Sequence, residues 1–294
     1  MPLESIPVDL PWHLPTVLIL DGVSLSDLPK KLYDWVDQPV FEPLYLETAQ
    51  APLVDVSPCI VAIEGQDDPV LNQYLTLVDE DCGYLLFSRA AWEVQVRHLR
   101  WLTQVQMPSG ETVLLRLADP AVFSSLLSCA TTDQRAALLG PFERMVMPDK
   151  LSGEWREFKQ QAQITEASKQ LPYRLSDEQL SALGDVSFQQ VVGRLDLHMK
   201  MNFPAYGAEW AQAARQAELS QLADNAYALG FCSEGDIYLY AGIFGLLGGT
   251  ALSAHPDISQ LLHERSPQTP SQRLQRAFEM AQGRAAMLTG IEHV

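Results

Sequence analysis

No stretch of this chain is apolar for long enough to cross a membrane. Its best candidate, residues 237–252, is broken by Gly242, Gly245, Gly248 and Gly249 and falls short of the ~18 residues a spanning helix requires. It reads instead as a buried helix. The opening MPLESIPVDLPWHLP lacks both the basic and the apolar regions of a secretory signal, so a secreted protein is not expected. Cys59, Cys82, Cys129 and Cys232 are widely scattered, without CxxC spacing. That pattern fits free thiols in a reducing compartment better than a disulfide or zinc framework.

Basic residues are also scarce. There are 20 Lys and Arg against 37 Asp and Glu, a net charge of −17, which argues against a general nucleic-acid binder, because phosphate contacts need clustered cations. No Walker loop, HExxH, GxSxG or two-Cys/two-His spacing occurs. GLLGGT at 245–250 departs from GxGxxG and lies inside an expected helix, a context that favours close helix packing over a phosphate loop. The histidines at 13, 98, 198, 255, 263 and 293 are dispersed. The expectation is no resident metal and no cofactor.

The charge that is present is unevenly spread. Residues 1–82 hold Lys30 and Lys31 against 15 acids, net −13; residues 83–150 are net +1 and residues 151–294 net −5. A solvated acidic surface is one reading; the other is steering of a basic partner towards the first 82 residues.

The element pattern divides the chain. Four early prolines (Pro2, Pro7, Pro11, Pro15) predict an extended arm. TVLILD (16–21), PLYLE (43–47), CIVAIE (59–64), GYLLFS (83–88), FERMVMP (142–148) and EWREFKQQAQ (154–163) read as strands. Helices are expected over 24–36, from Asp67 or Asp68 before Pro69, over 90–103, from the Asp119-Pro120 corner, and over 131–139 with Gly140 closing it. VQMPSGETVLLRL is a hairpin around Pro-Ser-Gly, with Gly110 supplying positive φ. From about 160–175 the texture becomes polar and reads as a linker. Only helices follow, over 176–183, 187–201, 208–229, 233–247, 256–263 and 270–288. The expected architecture is a mixed-sheet α/β lobe, residues 1–160, followed by an all-α lobe, residues 161–294.

At 100° per residue, the 90–103 helix places Trp92, Val96, Leu99 and Thr103 on a core face, and Glu93 four residues before Arg97 as a candidate ion pair. Val94 and Trp101 point away from that core. An outward tryptophan beside Arg97 and Arg100 is the composition of an interface anchor; the alternative is that the C-terminal lobe covers it. His98, Arg116 and Asp119 are the residues a catalytic reading would use. A histidine fixing a helix, and an ion pair or cap at a strand-to-helix corner, account for them without chemistry.

HLRWL (98–102), PSGETVLLRLADP (108–120) and LLGPF (138–142) together resemble the type VI secretion effector adaptors, the Tap/Tec-type chaperones with their VasW-like members. His98, Leu99, Arg100, Gly110, Arg116, Asp119, Pro120, Gly140 and Pro141 match that family's pattern, with Ser109 where an aspartate is usual. The match is most specific over 83–149, and TVLILDG extends it to 16–149. GFCSEGDIYLYAGIFGLLG (230–248) is similar to the segment that follows the domain in many members. The resemblance implies a non-enzymatic protein of the bacterial cytoplasm that binds one effector and helps load it onto the spike protein VgrG. Arg97, Arg100, Trp101 and Val94 would be its partner-binding residues. The rival expectations are an enzyme with its site at His98, Arg116 and Asp119, and a permanent structural scaffold subunit.

Overall fold

The structure is a computed structural model, and it describes residues 5–150, 152–161, 172–249, 252–264 and 267–291, with side chains to 287. Two compact units divide it, Met1–Val186 and Ser187–Val294.

The first unit is built on a six-stranded sheet in the order β2-β3-β1-β4-β7-β8. Its strands are β1 (Thr16–Leu20), β2 (Phe41–Pro43), β3 (Cys59–Ile63), β4 (Gly83–Phe87), β7 (Arg144–Asp149) and β8 (Glu154–Lys159). Every pairing in it is antiparallel. A second sheet, in the order β6-β5-β9, joins β5 (Gln104–Gln106), β6 (Thr112–Leu114) and β9 (Tyr173–Arg174). The parallel pairing of this mixed architecture is found here, between β5 and β9.

All five residues of β1 are buried, and the two-residue side-chain period sends them to opposite faces. Val17 and Ile19 join a cluster with α3 (Trp92–Leu102), α4 (Pro120–Cys129) and α5 (Thr132–Leu139). Leu18 and Leu20 join the opposite cluster, with α1 (Leu28–Trp35) and α2 (Pro69–Thr76). The second half of the proline-rich arm packs on this second face: Leu10 and Leu14 are buried there, and Trp12 lies edge-on to Phe87 at 5.6 Å.

Helix starts follow the capping signals. The Asp68 carboxylate accepts the N–H groups of Val70 and Leu71 at 2.8 and 3.4 Å, with Pro69 at the first position. Thr131 and Gln134 form a reciprocal capping box. Two expectations shift. PLYLE is not a strand: the strand lies a step earlier, at β2, and Leu44 and Tyr45 are buried at the start of a loop. The linker expected at 160–175 falls, over 162–171, outside the described residues, and Tyr173–Arg174 at its end is β9.

The helices are α6 (Asp177–Asn202), α7 (Gln212–Ala228), α8 (Glu234–Leu246), α9 (Pro256–His263) and α10 (Pro270–Ile291), all in or entering the second unit. The two helices expected over 176–183 and 187–201 are one. Ser176 supplies its cap with Gln179, each N–H bonding the other's side-chain oxygen at 3.2 Å. Gly184 meets no steric obstacle, and its ~1 kcal/mol propensity cost is too small to break 26 residues. The glycine run packs as expected: a Cβ on Gly245 would lie 2.5 Å from the Phe203 ring, and one on Gly242 2.8 Å from Phe278. Among the described residues no helix is long and apolar enough to cross a membrane.

Burial also sorts the thiols. Burial pushes Cys59 and Cys82 up to about 12, whereas Cys129 and Cys232 are exposed. Iodoacetamide at pH 8 should therefore modify Cys129 and Cys232 in the native chain and reach Cys59 and Cys82 only after denaturation, as peptide mass spectrometry will show.

Candidate partner-binding site

The matching residues gather at two places where helices meet sheet ends, and both are held by arginines. At the first, Asp21 directly follows the buried run of β1 and is itself buried. Its carboxylate accepts the Ser24 hydroxyl at 2.9 Å and the N–H groups of Val23 and Ser24 at 3.3 Å. Arg116 closes the arrangement, donating to Asp21 at 2.5 Å and standing 3.5 Å from Asp119. Asp119, 1% exposed, caps α4 by accepting from Ala121 and Val122 at 3.0 and 3.2 Å, with Pro120 at the first helical position. The corner is thus an ion pair and a cap at once, with Asp21 as a second carboxylate.

Electrostatics follows from the geometry. Burial opposes the charge of Arg116, but the hydrogen bond to Asp21 and the carboxylates of Asp21, Asp119 and Asp81 outweigh it and raise its pKa. Nearby, burial raises the Asp81 carboxyl despite its 2.7 Å bond from Lys150. Tyr45 is raised by burial and by the Asp21 charge.

The second place is α3. His98 is buried, and its Nε2 lies 3.0 Å from the Leu138 carbonyl; since a carbonyl only accepts, that nitrogen donates. Gly140 ends α5 at φ +57°, and a Cβ there would sit 2.2 Å from the His98 ring. Position 140 is therefore restricted to glycine twice over, by backbone conformation and by space. Pro141 contributes its carbonyl to the Ser88 hydroxyl at 2.6 Å. Gly110, at φ +94°, makes the turn of the β5–β6 hairpin.

The outward face of α3 differs from its helical-wheel reading. Arg100 is committed: it donates to Glu42 at 2.5 Å and to the Leu44 carbonyl at 3.3 Å. The Trp92 indole also donates to Glu42, at 3.3 Å. Trp101 is half-buried against the core rather than projecting freely, with its ring 5.7 Å from His98 and edge-on to Tyr173 at 6.0 Å. The cover comes from β9, which the parallel pairing with β5 brings beside the helix. Val94 is half-buried, while Arg97 is exposed. The expected Glu93–Arg97 ion pair is absent among the described residues; both side chains remain in solvent, where such a pair is worth only ~0.3–0.5 kcal/mol.

Sequence reasoning paired Arg116 with Asp119 and missed the other two partners, Asp21 and Glu42. Asp21 carried a usable signal, a single acid closing a continuous apolar strand. Glu42 carried none, since nothing in FEP distinguishes it from the neighbouring acids. Among the described residues no three or more His, Cys, Asp or Glu are grouped to hold a metal ion.

Residues 18–137 match the domain of unknown function DUF4123. The accessory protein VasW of Vibrio cholerae serotype O1 is 32% identical over 269 residues, covering 90% of this chain and 86% of that protein. No solved structure matches.

Two substitutions test the corner and the helix junction. Arg116→Ala leaves the Asp21 carboxylate with backbone and Ser24 donors alone and should cost ~1–3 kcal/mol in urea unfolding, with Arg116→Lys recovering part of it. Gly140→Ala should cost at least ~2 kcal/mol through strain and overlap with His98, and Gly110→Ala, in open space, clearly less.

Proposed function

The chain belongs to the VasW-like family of type VI secretion adaptors that carry the DUF4123 domain, and from that membership we propose that it is an adaptor that binds one effector and helps load it onto the VgrG spike. It acts in the bacterial cytoplasm and is not itself an enzyme. The observation that carries this reading is the extent of the likeness: it spans 90% of the chain, so both the sheet unit and the helical unit are shared with a protein named for an accessory role.

The geometry of the matching residues supports the same reading. Arg116 and Asp119 spend their polar groups on Asp21 and on a helix N-terminus, and His98 spends its own on a helix carbonyl. These are positions an adaptor needs rigid, and none presents a base to a substrate. On α3, Arg97 is the residue open to a partner's carboxylate, whereas Arg100 and Trp101 shape the surface behind it.

Deleting the gene discriminates the readings. An adaptor loses export of one effector while the apparatus still fires and exports others. A scaffold subunit loses all export, and that outcome would overturn the proposal. Arg116→Lys keeps a cation between Asp21 and Asp119, so export of the effector should persist; effector binding retained with export abolished would favour an enzyme instead.

A further inference from the structure

Between β2 and β3 the chain runs through a 15-residue loop, 44–58, that leaves and returns at nearly the same point. The Leu44 N–H donates to the Pro58 carbonyl at 2.8 Å, and the buried Ser57 hydroxyl receives the Tyr45 N–H at 2.9 Å while donating to the Pro58 carbonyl. Compact loops closed at the base in this way are frequently functional. This one is ordered by its own bonds: Thr48 Oγ1 to the Tyr45 carbonyl at 2.7 Å, and the Leu53 N–H to the Gln50 carbonyl at 2.8 Å.

What it presents is apolar. The turn Ala51–Val56 (APLVDV) has no buried residue, and Leu46, Leu53 and Val56 are 44, 44 and 41% exposed. Val23 joins them at 57%: its neighbour Gly22 lies so close to the loop that a Cβ there would meet the Ser57 carbonyl oxygen at 2.3 Å. Leu53 and Val56 share one short turn, and Gly22 brings Val23 to the backbone of Val56 and Ser57; exposed aliphatic groups collected on one surface mark interaction sites.

An arginine stands at the foot of each of the two turns that carry these side chains. Arg100 bonds the Leu44 carbonyl and Glu42 at the base of the loop, and Arg116 bonds Asp21 at the foot of the turn that carries Val23. The matching arginines thus set the position of a surface that none of the matching motifs contains. The rim is acidic: Glu47 and Asp55 are exposed and lack an ion-pair partner among the described residues, within a stretch that has 15 acids and two lysines.

We propose that Val23, Leu46, Leu53 and Val56 form a docking surface for an apolar protein segment flanked by lysine or arginine. Its apolar side chains cover the aliphatic patch and its cations meet Glu47 and Asp55. This rests on the adaptor reading and places one protein contact of the adaptor on loop 44–58.

The test uses the full chain, with the effector and the spike protein from the same gene cluster as separate purified probes. A photocrosslinking amino acid in place of Leu53 should join the chain to one of them, at an apolar stretch with basic flanks. Leu53→Asp combined with Val56→Asp should weaken that complex at least ~10-fold with unchanged circular dichroism and Tm, since both side chains are exposed. Asp55→Lys should slow association and flatten its salt dependence. If wild-type chain binds neither probe, the adaptor reading itself fails. If it binds and the double variant binds equally well, the surface is wrong and the adaptor reading stands. Crosslinks between two copies of this chain, lost in the double variant, would overturn the proposal in favour of self-association.

Discussion

β1 has no face that can be left to water. Its five residues alternate between two sides, and each buried aliphatic side chain contributes ~1.5–3 kcal/mol against ~1–2 kcal/mol to order its backbone. Covering one side alone would leave half of that gain unrealised, so the strand requires a layer on both faces. That requirement explains why α3, α4 and α5 lie on one side while α1, α2 and the proline-rich arm lie on the other. It also explains why the arm is docked: Leu10 and Leu14 complete a face that two eight-residue helices leave unfinished.

A sheet covered on both faces forces its polar groups to the strand ends, where helices enter and leave. Asp21 and Asp119 are buried there, and an unpaired buried carboxylate costs several kcal/mol. Each escapes that cost through backbone N–H donors first and Arg116 second. The Arg116 side chain is 46% exposed, so its charge stays partly hydrated, and the carboxylates outweigh the burial that opposes it. Acid and arginine at such a corner need no substrate to account for their pattern: they orient the strand-to-helix turn and the Val23 turn together.

Most of this was legible before any coordinates, and the failures have identifiable causes. Strands with continuous burial read clearly because TVLIL, CIVAI and GYLLF are unbroken apolar runs, and the Asp119 cap and the Gly140 stop read clearly because the signal is local. The merged α6 was missed because serines and a glycine in sequence resemble a break, although their propensity cost is small beside the packing of the helix. The outward tryptophan was misread for a different reason. A helical wheel knows its own faces but not which distant strand will arrive, and the cover over Trp101 comes from Tyr173, 72 positions along the chain. Arg100 was read as available on the same ground, and its partner Glu42 carried no signal of its own.

The loop between β2 and β3 illustrates a limit of composition as evidence. An overall charge of −17 says little about recognition, because at physiological ionic strength charges beyond about 8 Å are largely screened. What a partner senses is the local arrangement, here Glu47 and Asp55 beside exposed aliphatic groups. The two kinds of contact divide the work: acidic residues govern how often a basic segment arrives, and the apolar surface it covers governs how long it stays. A loop that served only to connect β2 to β3 could do so in a few residues. A 15-residue loop closed at its base, held there by Arg100 and carrying exposed aliphatic side chains has the construction of a recognition element, with its position set by the arginine corners and its specificity left to the residues those corners do not include.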